Sequence, residues 1–169
     1  MDEIARLIEP QIPALRRYAF ALLRDREAAD DLVQDTLERA VAAWSGRHRD
    51  GDVRAWLFKI ERNLFLRMVQ RRSRAGREVG SEALEQVPDP CADPEADTGV
   101  KDVLAGIAAL PEEQRSVLLL IAVEDMSYAE AAEVLGIPVG TVMSRLSRAR
   151  ERMRGFIETG RNGFLRRVK

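Results

Sequence analysis

The segment SYAEAAEVLGIPVGTVMSRLSRARERMR, residues 127–154, decides the fold of the second half of the chain. Ser127 and Glu130 have the spacing of a capping box, in which the two residues satisfy each other's backbone donors at the start of a helix. Gly136 is suited to ending that helix, and Pro138 to beginning the next one. In the second helix, apolar residues recur at steps of four and three, at Val142, Leu146, Ala149, Met153 and Phe156. The segment therefore predicts a helix-turn-helix.

The second of these helices has a polar face beside its apolar one. At about 100° per residue, four polar residues fall within one arc: Thr141, Ser144, Arg145 and Arg148. Residues 140–169 contain nine basic and two acidic residues, a net charge of +7. Arg pairs bidentately with guanine in the major groove, so this face predicts DNA binding, the alternative being an ordinary charged surface helix.

Three further helices are predicted upstream, over residues 12–24, from about 26 to 44, and from about 53 to 72. Asp25 is the expected N-cap of the second of them. The buried stripe of that second helix is predicted to contain Val33, Leu37, Ala40, Val41 and Trp44. That of the third is predicted to contain Trp56, Leu57, Ile60, Leu64 and Met68.

Residues 73–99 differ from both flanks, because six Gly and Pro residues lie there among acidic ones and the apolar residues show no periodic spacing. We interpret this stretch as a flexible acidic linker. The predicted fold is all-α, with two small helical domains, 1–72 and 100–169, the second containing the helix-turn-helix. Residues 45–72 carry a net charge of +5, so each domain has a basic segment suited to an anionic ligand.

Composition excludes several classes of protein. The chain has 169 residues and a net charge of −1, and its longest apolar run, Val117 to Val123, is seven residues, too short to insert in a membrane. The acidic N-terminus is unlike a signal peptide, and we expect a cytoplasmic protein. One cysteine, Cys91, and one histidine, His48, predict no metal site, and no catalytic constellation is present. We expect no cofactor and no enzymatic activity.

Two pairs of segments carry a resemblance to a known family. MSYAEAAEVLGIPV (126–139) with GTVMSRLSRARERMR (140–154) resembles region 4 of bacterial sigma factors. IPALRRYAFALLRDREAADDLVQDTLERA (12–40) with DVRAWLFKIERNL (52–64) resembles region 2. With only these two regions, the chain resembles an extracytoplasmic-function (ECF) sigma factor, with features of the alphaproteobacterial general-stress subgroup. The resemblance implies three partners: core RNA polymerase, promoter DNA and an anti-sigma factor, soluble or membrane-bound.

The predicted second helix of the first domain has an acidic stripe with i, i+3, i+4, i+7 spacing: Asp31, Gln34, Asp35 and Glu38. From the residues alone, a solvated face is the more ordinary explanation of the stripe. The resemblance implies that it docks on the coiled coil of the largest polymerase subunit. It also implies that the minus-thirty-five element is contacted from the helix-turn-helix by Gly140, Thr141, Ser144, Arg145 and Arg148.

The third helix is the candidate for minus-ten recognition and melting. Phe58, Arg62 and Phe65 are predicted to lie away from the buried stripe, as a platform on which unpaired bases stack. Packing of the two Phe rings inside the domain is the alternative. By resemblance, loop 45–52 holds a flipped base. The residues implied in minus-ten contacts are Arg54, Lys59, Arg62 and Asn63.

Two other functions fit parts of the sequence. A stand-alone helix-turn-helix regulator accounts for residues 126–150 but not for the acidic stripe. A sigma mimic that titrates an anti-sigma factor accounts for the resemblance but has no need of Arg145 and Arg148 on a reading face. Core polymerase binding separates a sigma factor from both.

Overall fold

The computed structural model describes residues 2–47, 51–78 and 98–167, with the side chains of residues 3–47, 51–76 and 99–159. Every secondary-structure element in these ranges is helical, which confirms the all-α prediction. The chain divides into two compact units, Met1–Pro90 and Cys91–Lys169. The predicted linker falls mainly on residues 79–97, which lie outside the described residues together with Cys91 and His48.

The described residues of the first unit form four α-helices. They are α1 (Asp2–Ile8), α2 (Ile12–Leu23), α3 (Arg26–Ala43) and α4 (Val53–Glu78), with single 3-10 turns at Glu9–Gln11 and Trp44–Gly46. Helix α2 ends at Arg24, whose left-handed backbone (φ 56°) reverses the chain. Asp25 then caps α3 by accepting a 3.0 Å hydrogen bond from the backbone N–H of Ala28, as predicted.

Helices α2, α3 and α4 pack on one another around an apolar core. Leu15, Tyr18 and Ala19 of α2 and Phe58 of α4 are buried in this core, and the rings of Tyr18 and Phe58 contact edge to face with centroids 5.4 Å apart. Ile8 of α1 is buried as well, so the N-terminal residues form a helix that the sequence pattern had not indicated.

Two predictions about the first unit are wrong. Val41 is 49% exposed, because the buried stripe of α3 runs through Ala29, Leu32, Val33, Thr36 and Ala40 and leaves the next residue facing outward. Helix α4 continues six residues beyond Arg72, to Glu78, so the start of the predicted linker is helical. Arg and Ala in this stretch favour a helix, and a Cβ at Gly76 would meet nothing within 4 Å, so no contact requires glycine there.

The second unit contains α5 (Thr98–Ala109), α6 (Glu112–Leu118), α7 (Tyr128–Leu135) and α8 (Val139–Arg167), with a π-helical turn at Leu119–Val123. Helices α5, α6 and α7 all pack against α8. At the α5–α8 contact, Gly106 allows close approach, because a Cβ there would lie 3.0 Å from Phe156 Cδ1. Pro111, at the N-cap of α6, separates that helix from α5.

One arginine holds the end of α5 to the start of α6. The Arg115 guanidinium donates hydrogen bonds to the carbonyls of Ile107 (3.2 Å), Ala108 (2.8 Å) and Leu110 (2.9 Å). The last carbonyls of a helix have no partner within the helix, so a half-buried cation that binds three carbonyls here stabilises the corner. This fixes α6, and with it the neighbours of α8.

Candidate nucleic-acid interface and acidic face

The helix-turn-helix forms as its sequence predicts. Ser127 Oγ accepts from the N–H of Glu130 at 3.2 Å, and the Glu130 carboxylate accepts from the N–H of Ser127 at 2.6 Å. Gly136 ends α7 with a left-handed backbone (φ 63°). The carbonyl of Pro138 then accepts from the N–H groups of Thr141 and Val142 at 3.0 and 3.1 Å, which begins α8 without a side-chain cap.

Helix α8 separates its packing face from its polar face as predicted. Val142, Leu146 and Ala149 are buried in the second unit. The candidate reading residues lie on the other side, where Gly140, Ser144 and Arg148 are exposed and Thr141 and Arg145 half-buried. Small and hydroxyl side chains thus alternate with guanidiniums on one accessible face, the arrangement that a helix needs to approach a major groove.

Two of these residues have partners within the unit. Ser144 Oγ donates a 3.1 Å hydrogen bond to the carbonyl of Thr141. Arg145 Nη2 lies 3.5 Å from Glu113 Oε2 of α6, in an ion pair that crosses between helices. Sequence reasoning missed Glu113, because no local pattern relates the first turn of α6 to the position of Arg145 in α8.

In α4 the predicted stacking platform is wrong. Phe58 is fully buried, Phe65 is 4% exposed and Arg62 is 6% exposed, so all three belong to the interior of the first unit. The alternative, packing of the Phe rings inside the unit, is the one that the structure supports. Trp56, Ile60, Leu64 and Met68, which were predicted to be buried, are half-buried at its margin. Only Leu57 of that predicted stripe is fully buried.

Two of the four minus-ten candidates are fully accessible. Lys59 and Asn63 are both exposed and lie one helical turn apart on the same face of α4. Arg54 is half-buried, and its Cζ lies 5.9 Å from the centre of the Phe58 ring. The burial of Arg62 removes its guanidinium from the surface, so Arg62 is not available for the predicted phosphate contact in this conformation.

Arg47, which follows α3, lies beside the rings of two tryptophans. Arg47 Cζ lies 4.7 Å from the Trp44 ring centre and 6.0 Å from that of Trp56, and the two rings meet edge to face at 5.9 Å. Arg47 Nη1 also donates a 3.0 Å hydrogen bond to the carbonyl of Gly51. The predicted base-holding loop, 45–52, includes residues 48–50, which lie outside the described residues.

The acidic stripe of α3 lies on the surface. Asp31, Gln34, Asp35 and Glu38 are all exposed, on the side of the helix away from its buried stripe. Gln34 Nε2 donates a 3.0 Å hydrogen bond to Glu38 Oε1, which holds two members of the stripe in register. The resulting face is anionic and accessible to a basic partner.

The part of the chain that the structure describes contains no group of three or more His, Cys, Asp or Glu side chains placed to hold a metal ion. Within the same residues, none of the helices has the length and apolar character that a membrane crossing requires.

The two units match two different family models. A model described as the sigma2 domain of PhyR matches residues 8–61, within the first unit. A model of sigma-70 region 4 matches residues 101–153, which contain the helix-turn-helix.

Similar proteins cover most of the chain. It is 37% identical over 145 residues to the ECF RNA polymerase sigma factor EcfG of Rhodopseudomonas palustris, spanning 84% of this chain and 78% of that one. It is 33% identical over 155 residues to the ECF RNA polymerase sigma factor SigE of Mycolicibacterium smegmatis, spanning 89% of this chain and 60% of SigE. The solved structure of the sigma factor RpoE in complex with the anti-sigma factor NepR from Bartonella quintana matches with a TM-score of 0.84 and 31% identity, over 94% of this chain and 98% of RpoE.

Proposed function

Because the chain belongs to the ECF family of RNA polymerase sigma factors, of the alphaproteobacterial general-stress type, we propose that its two units recognise different parts of one promoter. As a sigma factor it binds core RNA polymerase and directs it to particular promoters. The region 2-like unit, with proposed limits 1–72, binds the minus-ten element and the polymerase. The region 4-like unit, residues 100–169, binds the minus-thirty-five element.

The observation that carries this proposal is the polar face of α8. Its hydroxyls and guanidiniums are accessible while Val142, Leu146 and Ala149 anchor the helix from behind. An anchored recognition helix keeps its side chains in fixed positions relative to the base edges, which a mobile surface helix does not. We assign the upstream contacts to Gly140, Thr141, Ser144, Arg145 and Arg148.

In the first unit, the minus-ten surface is narrower than the sequence implied. Lys59 supplies a cation for phosphate, and Asn63, one turn away, supplies an amide able to bond a base edge. Arg54 borders this surface through its half-exposed guanidinium. Arg62 has no part in it, since its side chain belongs to the interior.

The acidic face of α3 is proposed as the docking surface for core polymerase. Four exposed residues present carboxylates and an amide on one side of an 18-residue helix. Basic side chains on the coiled coil of the largest subunit would complement such a face in charge. This assignment accounts for a stripe that a stand-alone DNA-binding protein does not need.

The same family membership indicates what kind of partner regulates this chain. RpoE and NepR form a sigma and anti-sigma complex, and we infer that a dedicated anti-sigma protein binds this chain. Polymerase and promoter are cytoplasmic in bacteria, and we propose the same location here. We further propose that the protein acts by binding alone, with no cofactor and no catalytic step of its own.

One observation favours a second candidate. The model that matches residues 8–61 is named for PhyR, so the first unit also fits a sigma mimic that captures an anti-sigma factor. A mimic needs the shape of a sigma factor but not a working reading face or polymerase surface.

A single assay separates the candidates. The purified chain is mixed with core RNA polymerase and a library of promoter fragments, and the transcripts are sequenced. A sigma factor yields transcripts that start downstream of one shared pair of elements. A mimic or a stand-alone regulator yields none above the level of core polymerase alone, and that result would reject the proposal.

A further inference from the structure

Glu113 is the acidic residue that touches the reading face. It stands in the first turn of α6, which packs directly on α8. Its carboxylate Oε2 is 3.5 Å from Arg145 Nη2, and the Arg145 side chain is 22% exposed whereas that of Glu113 is 65% exposed. The carboxylate therefore borders the surface on which DNA is proposed to lie, rather than the interior of the unit.

An ion pair with this exposure contributes little to the stability of the fold. Its consequence for recognition is larger, because it restricts one end of a long, flexible side chain. The guanidinium has five N–H donors in a rigid fork, so a carboxylate that engages Nη2 from one side leaves other donors free to meet a base edge. A fork that is already oriented loses less rotamer entropy when it binds.

The Glu113 carboxylate also affects complexes with DNA of non-cognate sequence. A phosphate competes for the same guanidinium at any DNA sequence, and a neighbouring negative charge disfavours its approach. A neutral guanine edge is repelled much less, so the pair weakens sequence-independent contacts more than sequence-dependent ones.

We propose that Glu113 is a specificity-determining positioning residue: it orients Arg145 toward base edges and keeps it from phosphates. This inference rests on the proposed function of the α8 face. It assigns a role in promoter choice to a helix that does not itself belong to the helix-turn-helix.

The test uses holoenzyme reconstituted from core polymerase and the full chain. Its affinity is measured by competition for two DNA fragments that differ only in the upstream element, one cognate and one scrambled. We expect Glu113→Gln to lower the cognate-to-scrambled ratio about two- to fivefold, the range open to one exposed ion pair, mainly by tightening the scrambled complex. Glu113→Asp keeps the charge but withdraws it from Arg145, so we expect a loss in the same direction but of smaller size.

The matched control is Glu112→Gln. Glu112 precedes Glu113 in the same turn and carries the same charge, but its Oε1 accepts a 2.8 Å hydrogen bond from Ser116 Oγ. The neutral amide can still accept that bond, so the control removes one charge near α8 and should leave the ratio unchanged. An equal change in the ratio with Glu112→Gln would overturn the proposal, because any nearby charge would then suffice.

Arg145→Ala completes a double-mutant cycle with Glu113→Gln. If Glu113 works through Arg145, Glu113→Gln adds no further loss of discrimination in the Arg145→Ala background. A full additional loss there would overturn the proposal. If Arg145→Ala lowers the ratio but neither Glu113 variant does, the proposal fails while the α8 assignment stands. If Arg145→Ala itself changes nothing, the reading face has been misassigned and the proposal falls with it.

Discussion

Reversal of two charges on α3 is the sharpest test of the polymerase surface. Asp31 and Asp35 lie one turn apart in the middle of the helix, and both are exposed. The double substitution Asp31→Arg with Asp35→Arg introduces no buried charge, and both sites lie away from the helix ends, where the dipole is strongest. The free energy of unfolding should therefore change by no more than about 0.5 kcal/mol per site.

The cost at an interface is much larger. Two unit charges 4 Å apart interact with about 1 kcal/mol even at the dielectric constant of water. Each reversal replaces such an attraction with a repulsion, a change of about 2 kcal/mol, or about 4 kcal/mol for the pair. We therefore expect affinity for core polymerase to fall about a thousandfold.

The measurement is a titration of fluorescently labelled protein with core polymerase, followed by anisotropy. Circular dichroism and thermal melting establish that the variant is folded. The matched control is Glu3→Arg with Glu133→Arg, which changes net charge equally at two exposed positions away from the stripe. A folded Asp31/Asp35 variant that binds within about threefold of the parent, or a control that loses as much, would refute the assignment of this face.

Three further predictions concern other elements. Arg145→Ala or Arg148→Ala should weaken holoenzyme binding by about 1–3 kcal/mol and relax preference at one base if the side chain reads a base edge. A phosphate contact instead lowers affinity for all sequences and flattens the salt dependence, and no change of either kind would contradict the reading face. Asn63→Ala should leave core binding intact but reduce open-complex formation, so thymines of the minus-ten element should react less with permanganate; undiminished reactivity would exclude Asn63. Arg115→Ala leaves three helix-end carbonyls without their cation and should destabilise the second unit by about 2–3 kcal/mol in urea unfolding, with only partial rescue by Arg115→Lys. Unchanged unfolding would show that water replaces the guanidinium without cost.

Three helix boundaries in this chain could be predicted because the rules that set them are local. Asp25, Ser127 and Gly136 each act on backbone groups within a few residues, and all three behave as their spacing predicts. The buried face of α8 was predictable for a similar reason, since one unbroken stripe alternates with charged residues there.

The orientation of α4 could not be predicted in the same way. This 26-residue helix has bulky apolar residues on more than one face, and periodicity does not say which face packs more deeply. The usual expectation that charged residues stay at the surface pointed to the wrong face, because Glu61 and Arg62 are both buried. The face that packs more deeply is the one that carries Phe58, whose ring contacts Tyr18 of α2.

Contacts between distant segments were outside the reach of sequence patterns. The Glu113–Arg145 pair joins residues on two helices, and the Arg115 bonds depend on how the chain turns after α5. Arg47 between Trp44 and Trp56 likewise requires the end of α3 to meet the start of α4. In each case the residue type was visible in the sequence, but its partner was set by packing.

These corrections change which residues of α4 can contact promoter DNA. With Phe58, Phe65 and Arg62 in the core, the exposed candidates for the minus-ten element are one cation, Lys59, and one amide, Asn63. Further along the same helix, four more cations are exposed: Arg67, Arg71, Arg72 and Arg74. Cations carry the salt dependence of DNA binding, because each phosphate that they neutralise releases counterions, whereas an amide contact to a base does not. Both α4 and α8 present exposed cations to a DNA partner. Salt should therefore weaken closed-complex formation through both units, while the opening step that depends on Asn63 should respond to salt much less.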